Sequence, residues 1–268
     1  MEEKKTPVVL IVILVLIILG LGGYIALDKL VLSKEKEEVR TVVAIDDVNI
    51  DLDSLYQIGD TLTKFDNAYN DLNSNYFGYL YKVDTRLLAS KFDNGAALFV
   101  AMHDDMVGTS SAQYLIGGNV KKNFETIFGS NLAYKPSSVD AGKSFNIIYN
   151  EANGNFTYTA PTMTNVYANK YVVKNIKTEL KDDKVMITRR VFYVEYKSDE
   201  GNTDITSANI YTTHSNKQLV GTLNLRNNVL SEEEVLAKYG SKLNKYVYTF
   251  KQNSNTDDYS FYSIEKVK

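Results

Sequence analysis

Two histidines occur in the 268-residue chain, and they stand in unrelated contexts. His103 precedes Asp104 and Asp105, and these side-chain types together can bind a divalent metal. A zinc site of the H-E-x-x-H type would need a second histidine at the fixed spacing, and the sequence has none there. His214 lies in a predicted hairpin loop with no motif around it. The pattern therefore favours a polar helix end at His103 over a metal site.

Four aspartates that precede the first predicted helix suggest a calcium-binding loop; they are Asp46, Asp47, Asp51 and Asp53. An EF-hand loop requires a glycine after its alternating acidic positions and a glutamate at its twelfth position. The sequence has neither residue in place. A solvated acidic loop is therefore the favoured interpretation.

Nucleophile-elbow and phosphate-binding motifs are also missing, since no G-x-S-x-G or Walker pattern occurs. Gly117 and Gly118 precede a predicted helix, but the other glycines of a dinucleotide-binding loop are absent, which favours a simple turn. Neighbouring carboxylates such as Glu232 and Glu234 become catalytic only where a pocket shifts their pKa. The sequence therefore predicts no catalytic residue, no metal ligand and no cofactor, and it makes an enzyme the less favoured hypothesis.

Composition excludes further classes of site. The chain has no cysteine, so disulfides, thiolate zinc sites and a lipid-modified cysteine are ruled out. Its 30 basic and 33 acidic side chains give a formal net charge of −3, and no basic patch indicates a nucleic-acid partner. Stability must therefore come from packing.

One uncharged apolar run begins at Val8 and ends at Leu27. As a helix, its twenty residues would span about 30 Å, which is the thickness of a hydrocarbon core. A cleaved signal peptide would have an apolar region of about 7 to 15 residues followed by a small-x-small site, and this run fits neither feature. Residues 8–27 are therefore predicted to form an uncleaved transmembrane helix in the lipid bilayer.

The direction of insertion rests on precedent. Two lysines precede the run, whereas four basic residues follow it: Lys29, Lys34, Lys36 and Arg40. This count favours export of the N-terminus, but long domains translocate largely regardless of charge. Because a short leader is usual for a signal anchor, we predict a cytoplasmic tail at residues 1–7 and an exported domain. A cytoplasmic-facing adaptor is the alternative that the charge count permits.

Residues 28–52 are interpreted as a charged stalk and linker, and residues 53–130 as mainly helical. The first helix is predicted to be capped by Asp53 or Ser54. Its apolar positions recur every three or four residues, at Leu55, Ile58, Leu62, Phe65, Tyr69 and Leu72.

Two further helices are predicted in this half. The run AALFVAM within residues 91–106 predicts a buried helix, and an apolar stripe over residues 119–128 predicts another that ends at Gly129. Residues 77–88, in contrast, are ambiguous between helix and loop.

From residue 143 the hydrophobic period changes to two, which is typical of strands. Four strand pairs are predicted, at 144–150 with 155–159, 170–180 with 184–196, 208–213 with 218–225, and 245–251 with 259–267. One helix interrupts them, capped by Ser231 with Glu234 three residues later and ending near Gly240. Helices followed by hairpins predict an α+β domain at 53–268 with a curved antiparallel sheet.

Clustered tyrosines raise a binding hypothesis; they are Tyr76, Tyr79, Tyr81, Tyr246 and Tyr248. Aromatic faces can form a platform for carbohydrate or peptide. Alternation in a strand also places Tyr246, Tyr248 and Phe250 on one face, where they would pack against helices. The packing interpretation is favoured.

Four segments carry a resemblance, and they read TPVVLIVILVLIILGLGGYIALDKL, VKKNFETIFGSNLAYKP, IIYNEANGNFTYTAP and YVYTFKQNSNTDDYSFYSIEKV. With them, nearly the whole chain resembles single-pass, membrane-anchored extracytoplasmic proteins of low-GC Gram-positive (Bacillota) bacteria. The resemblance implies a cell-membrane location, and the group brings no catalytic residues to this sequence. Helices backed by a curved sheet also look like the cystatin-like and nuclear transport factor-like folds, an analogy that supplies no function.

These expectations lead to a functional hypothesis. The chain is predicted to be a tethered extracytoplasmic domain with a non-enzymatic binding or structural role at the cell envelope, where its partner is an envelope polymer or another protein. The alternative is an enzyme or small-ligand receptor with a pocket between helices and sheet.

Overall fold

The computed structural model describes residues 50–106, 113–142, 145–159, 169–198, 205–225, 230–254, 256 and 258–267. The predicted membrane helix at 8–27, the stalk up to residue 49, and Asp46 and Asp47 lie outside these residues. Within the described part, no helix is both long enough and apolar enough to cross a membrane. Residues 45–268 form one compact unit.

The described residues contain four α-helices and four short 3-10 helices. The α-helices are α1 (Leu52–Tyr69), α2 (Asn94–Met106), α3 (Gly117–Phe128) and α4 (Glu232–Tyr239). The 3-10 helices are Tyr79–Lys82, Ala89–Lys91, Gly129–Asn131 and Gly240–Lys242.

Eleven strands lie in the same described residues. They are β1 (Arg86–Leu88), β2 (Gln113–Leu115), β3 (Val139–Asp140), β4 (Asn146–Asn150), β5 (Asn155–Thr159), β6 (Lys170–Lys181), β7 (Lys184–Ser198), β8 (Ile205–Tyr211), β9 (Leu219–Asn224), β10 (Asn244–Gln252) and β11 (Tyr259–Val267). Their pairings are antiparallel throughout, which confirms the α+β class.

Helix α1 begins two residues before the predicted start. The side chain of Asp51 accepts hydrogen bonds from the backbone N–H and hydroxyl of Ser54, at 2.8 and 2.7 Å. The prediction that Asp53 or Ser54 caps the helix was wrong, because Asp51 already satisfies the first-turn N–H group. Leu72, predicted as the last apolar contact, lies after the helix and is exposed. The central apolar stripe is buried as predicted.

The next two helices match their sequence patterns. Helix α2 is buried along most of its length, and α3 buries Val120, Phe124, Ile127 and Phe128. Gly129 ends α3 with a φ of 52°, which favours glycine. The ambiguous segment between α1 and α2 contains the 3-10 helix Tyr79–Lys82 and strand β1.

The main sheet has seven strands and divides at β7. Strand β6 pairs along one edge of β7, and along the other edge β10 pairs as far as Val191, where β8 takes over from Tyr193. The order is β1-β11-β10-β7-β8-β9, with β6 off this path. At the division, the side-chain amide of Asn244 donates to the carbonyl of Thr212 at 3.3 Å and links the two branches.

A second, four-stranded sheet has the order β2-β5-β4-β3. The hairpin β4–β5 was predicted with its turn, whereas the two short outer strands were not. The two outer strands have three and two residues, which is too short for a hydrophobic period to be recognised in the sequence.

Two apolar cores lie on opposite faces of β7. The larger core packs α1, α2 and α3 against the sheet, and aromatic rings dominate it. For example, the ring of Phe65 lies 4.9 Å from that of Phe261. The smaller core contains Phe192 and Val194 of β7 with Val235 of α4. Helices therefore cover one face of β7 along its first half and the opposite face along its second half. In the second half, the face that α1 to α3 cover in the first half has none of these three helices packed on it.

Candidate binding face on the main sheet

His103 lies in the last turn of α2 and is buried. Its Nε2 is 3.2 Å from Oδ2 of Asp71, and its Nδ1 is 3.4 Å from Oδ1 of Asp104. The ring packs against Phe99 and Phe145. Burial disfavours the imidazolium, but the two carboxylates outweigh it and raise the pKa of His103.

Asp71 is the partner of His103 that sequence reasoning missed. Its carboxylate also accepts from the backbone N–H and side-chain amide of Asn73, at 2.9 and 3.1 Å. Burial opposes ionisation, yet the hydrogen bonds from His103 and Asn73 lower the pKa of Asp71. No group of His, Asp and Glu in the described residues is arranged to hold a metal ion. The cluster therefore joins the turn after α1 to α2.

Arg189 forms a second internal ion pair that the sequence did not suggest. Its guanidinium binds both oxygens of Asp66, at 3.0 and 2.5 Å, and lies 5.3 Å from the ring centre of Tyr248. Burial disfavours the cation, but Asp66 outweighs it and raises the pKa of Arg189. An arginine at an inward position of β7, between Ile187 and Val191, was the available signal.

The simple turn predicted at Gly117 and Gly118 is not observed, because both residues belong to the first turn of α3. Gly117 begins α3, and its N–H donates to Oδ1 of Asn155 at 2.8 Å. A Cβ at Gly117 would lie 1.7 Å from the carbonyl oxygen of Gly154. The glycine is therefore explained by close packing of α3 against the β4–β5 turn.

The other acidic residues considered from the sequence bind nearby groups. Asp105 accepts from the side-chain amide of Asn123 at 3.2 Å, and Glu232 lies 3.2 Å from Nζ of Lys174. Asp51 caps α1, as described above, and Asp53 lies in the first turn.

The tyrosine clusters belong to the core rather than to an exposed platform. Tyr81, Tyr246 and Tyr248 are fully or almost fully buried, and Tyr76 and Tyr79 are partly buried against the same core. The packing interpretation of these rings is thus confirmed. Tyr246 donates its hydroxyl proton to the carbonyl of Tyr81 at 3.1 Å.

A different group of residues forms the candidate site, which we name the Glu195 face. Its members are Tyr193, Glu195, Lys197, Ser207, Asn209, Tyr211, His214, Lys217, Thr222 and Asn224. The register places Glu195 opposite Asn209 and Asn209 opposite Thr222, so these side chains share one side of the sheet. Asn209 is half-buried and Thr222 is exposed, so solvent reaches this surface.

A chain of hydrogen bonds crosses the Glu195 face. The hydroxyl of Thr222 donates to Oδ1 of Asn209 at 2.8 Å, and the amide of Asn209 donates to the hydroxyl of Tyr211 at 3.2 Å. Tyr211 lies next to Glu195 and contributes to lowering the pKa of that carboxyl. The row presents hydroxyl and amide groups from neighbouring strands at fixed positions.

Glu195 is the charged centre of the face, and its side chain is only 10% exposed. Oε1 binds Nζ of Lys217, and Oε2 lies 3.7 Å from Nζ of Lys197. Burial opposes ionisation, but the hydrogen bond and charge of Lys217, with the charge of Lys197, lower the pKa of Glu195. The side chain of Lys217 is 48% exposed and that of Lys197 is 52% exposed. Their ammonium groups are therefore accessible to solvent, and the carboxylate lies beneath them.

Aromatic rings border this charged group. The ring of His214 lies 4.9 Å from that of Tyr193 and 5.2 Å from that of Phe77, in edge-to-face arrangements. The backbone N–H of His214 donates to the hydroxyl of Tyr171 at 2.8 Å and fixes the loop on the sheet. Burial, then the charges of Lys217 and Lys82, lower the pKa of His214.

Two clefts lie at the ends of the main sheet. One has a volume of 570 Å³ and is polar, with lining residues that include Asn131, Asp183, Lys251 and Asn253. The side chains of Asn131 and Asn253 are bound to Ser260, which leaves them less free for a ligand. The other cleft, of 520 Å³, lies near Arg86 and Asn244.

The Glu195 face is suited to binding rather than to proton transfer. A carboxylate with a lowered pKa stays ionised near neutral pH and has no proton to give. Ammonium groups, ring edges, hydroxyls and an amide can together bind a polar ligand and fix its orientation.

No known family model matches the chain, and neither the curated proteins nor the solved structures contain a significant match.

Proposed function

We propose that the chain is a membrane-tethered extracytoplasmic domain that binds a polar partner at the cell envelope, through the Glu195 face, without catalysing a reaction. The observation that carries this proposal is the nearly buried Glu195 carboxylate, which holds two exposed lysines on a solvent-accessible sheet face.

The tether comes from the sequence. Residues 8–27 have the length and apolarity of a membrane-spanning helix, and residues 28–49 would separate it from the described domain. We also propose membership of the membrane-anchored Bacillota group named above, with its cell-membrane location. A domain held at the membrane can bind an envelope polymer repeatedly, because tethering raises its local concentration.

Packing in the large core bears on the alternative, an enzyme or receptor with a pocket between helices and sheet. Aromatic rings fill this layer: Phe92 lies 5.3 Å from Phe128 and 5.7 Å from Phe261. The clefts described above lie at the ends of the sheet instead. This packing supports surface binding over a deep internal site. The cystatin-like arrangement of helices on a curved sheet remains part of the proposal.

Protease shaving of intact cells tests the location. We expect external protease to remove the domain after residue 28 while a tag on residues 1–7 stays protected. Full protection of the domain, with cleavage only after the cells are opened, would support the cytoplasmic-facing adaptor and contradict the proposal.

Binding is tested with the full-length chain in lipid nanodiscs and purified cell-envelope polymers. We expect retention of the chain by at least one polymer, and loss of retention in Glu195→Gln. Glu151→Gln, at an exposed position in the β4–β5 turn, is the matched control and should bind normally. If none of the envelope polymers binds the chain, or if both variants bind alike, the proposed role of the face is wrong.

A further inference from the structure

We infer that the ligand of the Glu195 face is a polymer of hydroxyl-bearing units joined or decorated by phosphate groups, which Lys197 and Lys217 bind while the polar row beside them binds the hydroxyls. This inference rests on the proposed function and names its ligand class.

Among the described residues of this face, the charge that reaches solvent is positive. Glu195 neutralises one of its two lysine partners, and its side chain is 10% exposed against 52% for Lys197 and 48% for Lys217. A ligand approaching from solvent therefore meets a net positive group before it meets the carboxylate. At His214, burial lowers the pKa most, and the charge of Lys217 lowers it more than Glu195 raises it.

The carboxylate also restricts the lysines. A free lysine side chain loses much conformational entropy when it binds a ligand. Because Lys197 and Lys217 are already held by Glu195, part of that entropy is lost before binding, and preorganisation of this kind increases affinity. The buried acid is thus a positioning residue for two exposed cations.

Lysine chemistry favours phosphate among the anions. An ammonium group acts as a point charge, and lysine is a common ligand of phosphate. The arginines near this end of β7 point elsewhere: Arg189 is bound to Asp66, and Arg190 donates to the carbonyl of Leu243 at 2.8 Å. Within the part of the face that the structure describes, the exposed cations are lysines.

The polar row accounts for the hydroxyl-bearing units. Thr222, Asn209 and Tyr211 are linked in one hydrogen-bond chain beside Glu195, and each has remaining capacity as donor or acceptor. Strands lie about 4.8 Å apart, so residues on β7, β8 and β9 offer contacts to successive parts of an extended ligand. A small inorganic anion would use the lysines and leave this row unused.

The test measures binding of three polymers to the full-length chain in zwitterionic nanodiscs: a glycerol-phosphate polymer, polygalacturonate and dextran. We expect the phosphate polymer to bind most tightly, with an affinity that falls as salt is raised. Lys197→Gln and Lys217→Gln should each weaken it about tenfold, the effect of losing one charge-assisted hydrogen bond. Lys181→Gln, an exposed lysine at the far end of β6, makes the same charge change elsewhere and should have no effect.

Glu195→Gln separates a positioned pair of lysines from a simple positive patch. The variant makes the face more positive but releases the lysines, so we expect weaker binding of the phosphate polymer. Stronger binding would show that charge alone acts, and it would overturn the inference. Thermal unfolding of each variant confirms that the fold is retained.

The remaining outcomes are also decisive. Equal binding of dextran, without salt dependence, would overturn the phosphate assignment while leaving the proposed envelope-binding function intact. Tighter binding of polygalacturonate would assign a carboxylate ligand instead. Competition by vesicles that contain phosphatidylglycerol, with no polymer binding, would identify lipid headgroups as the source of phosphate. Failure to bind any envelope material would defeat the proposed function itself.

Discussion

Two ion pairs on the same face of β7 have different surroundings. Arg189 of β7 lies under α1 and pairs with Asp66 of that helix, and the arginine side chain is 5% exposed. Glu195 and Lys217 lie beyond the branch point of the sheet, and the lysine side chain is 48% exposed. In the first pair both charges serve the packing of helix on sheet, whereas in the second pair the cation faces solvent. The helical cover, rather than the residue types, separates a structural ion pair from a candidate binding site.

Loss of the covered pair should have the largest effect. Arg189→Met leaves Asp66 without its partner and removes the cation beside Tyr248, so we expect a loss of about 3 kcal/mol of unfolding free energy. Urea denaturation measures it. Arg190→Met, on the opposite face, removes one hydrogen bond to a backbone carbonyl and should cost only about 1 kcal/mol. Equal losses would contradict the structural role assigned to the covered ion pair.

The open half of β7 depends on α4 beneath it. A Cβ at Gly221 would lie 2.3 to 2.5 Å from ring atoms of Tyr239, so Gly221→Ala should displace α4 and cost roughly 1 to 3 kcal/mol. Gly118→Ala, where a Cβ meets nothing within 4 Å, is the control and should be neutral or slightly stabilising. Thermal unfolding compares the two. If Gly221→Ala were harmless, α4 would not support this half of the sheet as described.

His103 makes the covered region sensitive to pH. The pKa of His103 is raised in the folded state. Its contribution to the free energy of unfolding is therefore fully present below the unfolded pKa of about 6.5, and it is lost as the pH rises through the folded pKa. The lowered pKa values of Asp71 and Asp104 act in the opposite sense, and their contributions are lost as the pH falls below the usual aspartate range. Stability should therefore be highest between these limits.

Comparison of wild type with His103→Gln checks this pH dependence. We expect the variant to be less stable by roughly 1 to 2 kcal/mol at pH 6 and to lose the decline on the alkaline side. The measurement is urea denaturation from pH 5 to pH 9. An unchanged alkaline decline in the variant would assign it to another group.

The smallest effect on stability is expected in the open region. Lys217→Gln removes a half-exposed cation while Lys197 still faces Glu195, so we expect a loss of less than about 1 kcal/mol of unfolding free energy, measured by urea denaturation. The same variant should weaken ligand binding. Destabilisation comparable to that of Arg189→Met would mean that Lys217 is a structural residue.

Much of the fold followed from local patterns. The apolar stripe of α1, the glycine that ends α3 and the cap at Ser231 all act over a few residues, so the sequence could indicate them. The hairpins could be predicted for the same reason, because their turns and alternating strands are also local patterns. The cap of α1 was misplaced because Asp51 lay in a run of acidic residues that also fits a solvated loop.

The candidate site depended on non-local pairing. Along one edge, β7 pairs first with β10 and then with β8. This change of partner is set by the register of the strands across the sheet, and no local hydrophobic period in the sequence indicates it. His103 pairs with Asp71, which is 32 residues away in the sequence, and Arg189 pairs with Asp66, which is 123 residues away. Glu195 resembled any surface glutamate in sequence, because its burial depends on Lys217 from a later loop.

Amide hydrogen exchange of the full-length chain, with and without a purified envelope polymer, tests the central claim most directly. We predict added protection in residues 193–197, 207–211 and 214–217, with α1 to α3 unchanged. Protection confined to the cleft at Asn131 and Asn253, or to the layer between helices and sheet, would contradict a binding role for the Glu195 face.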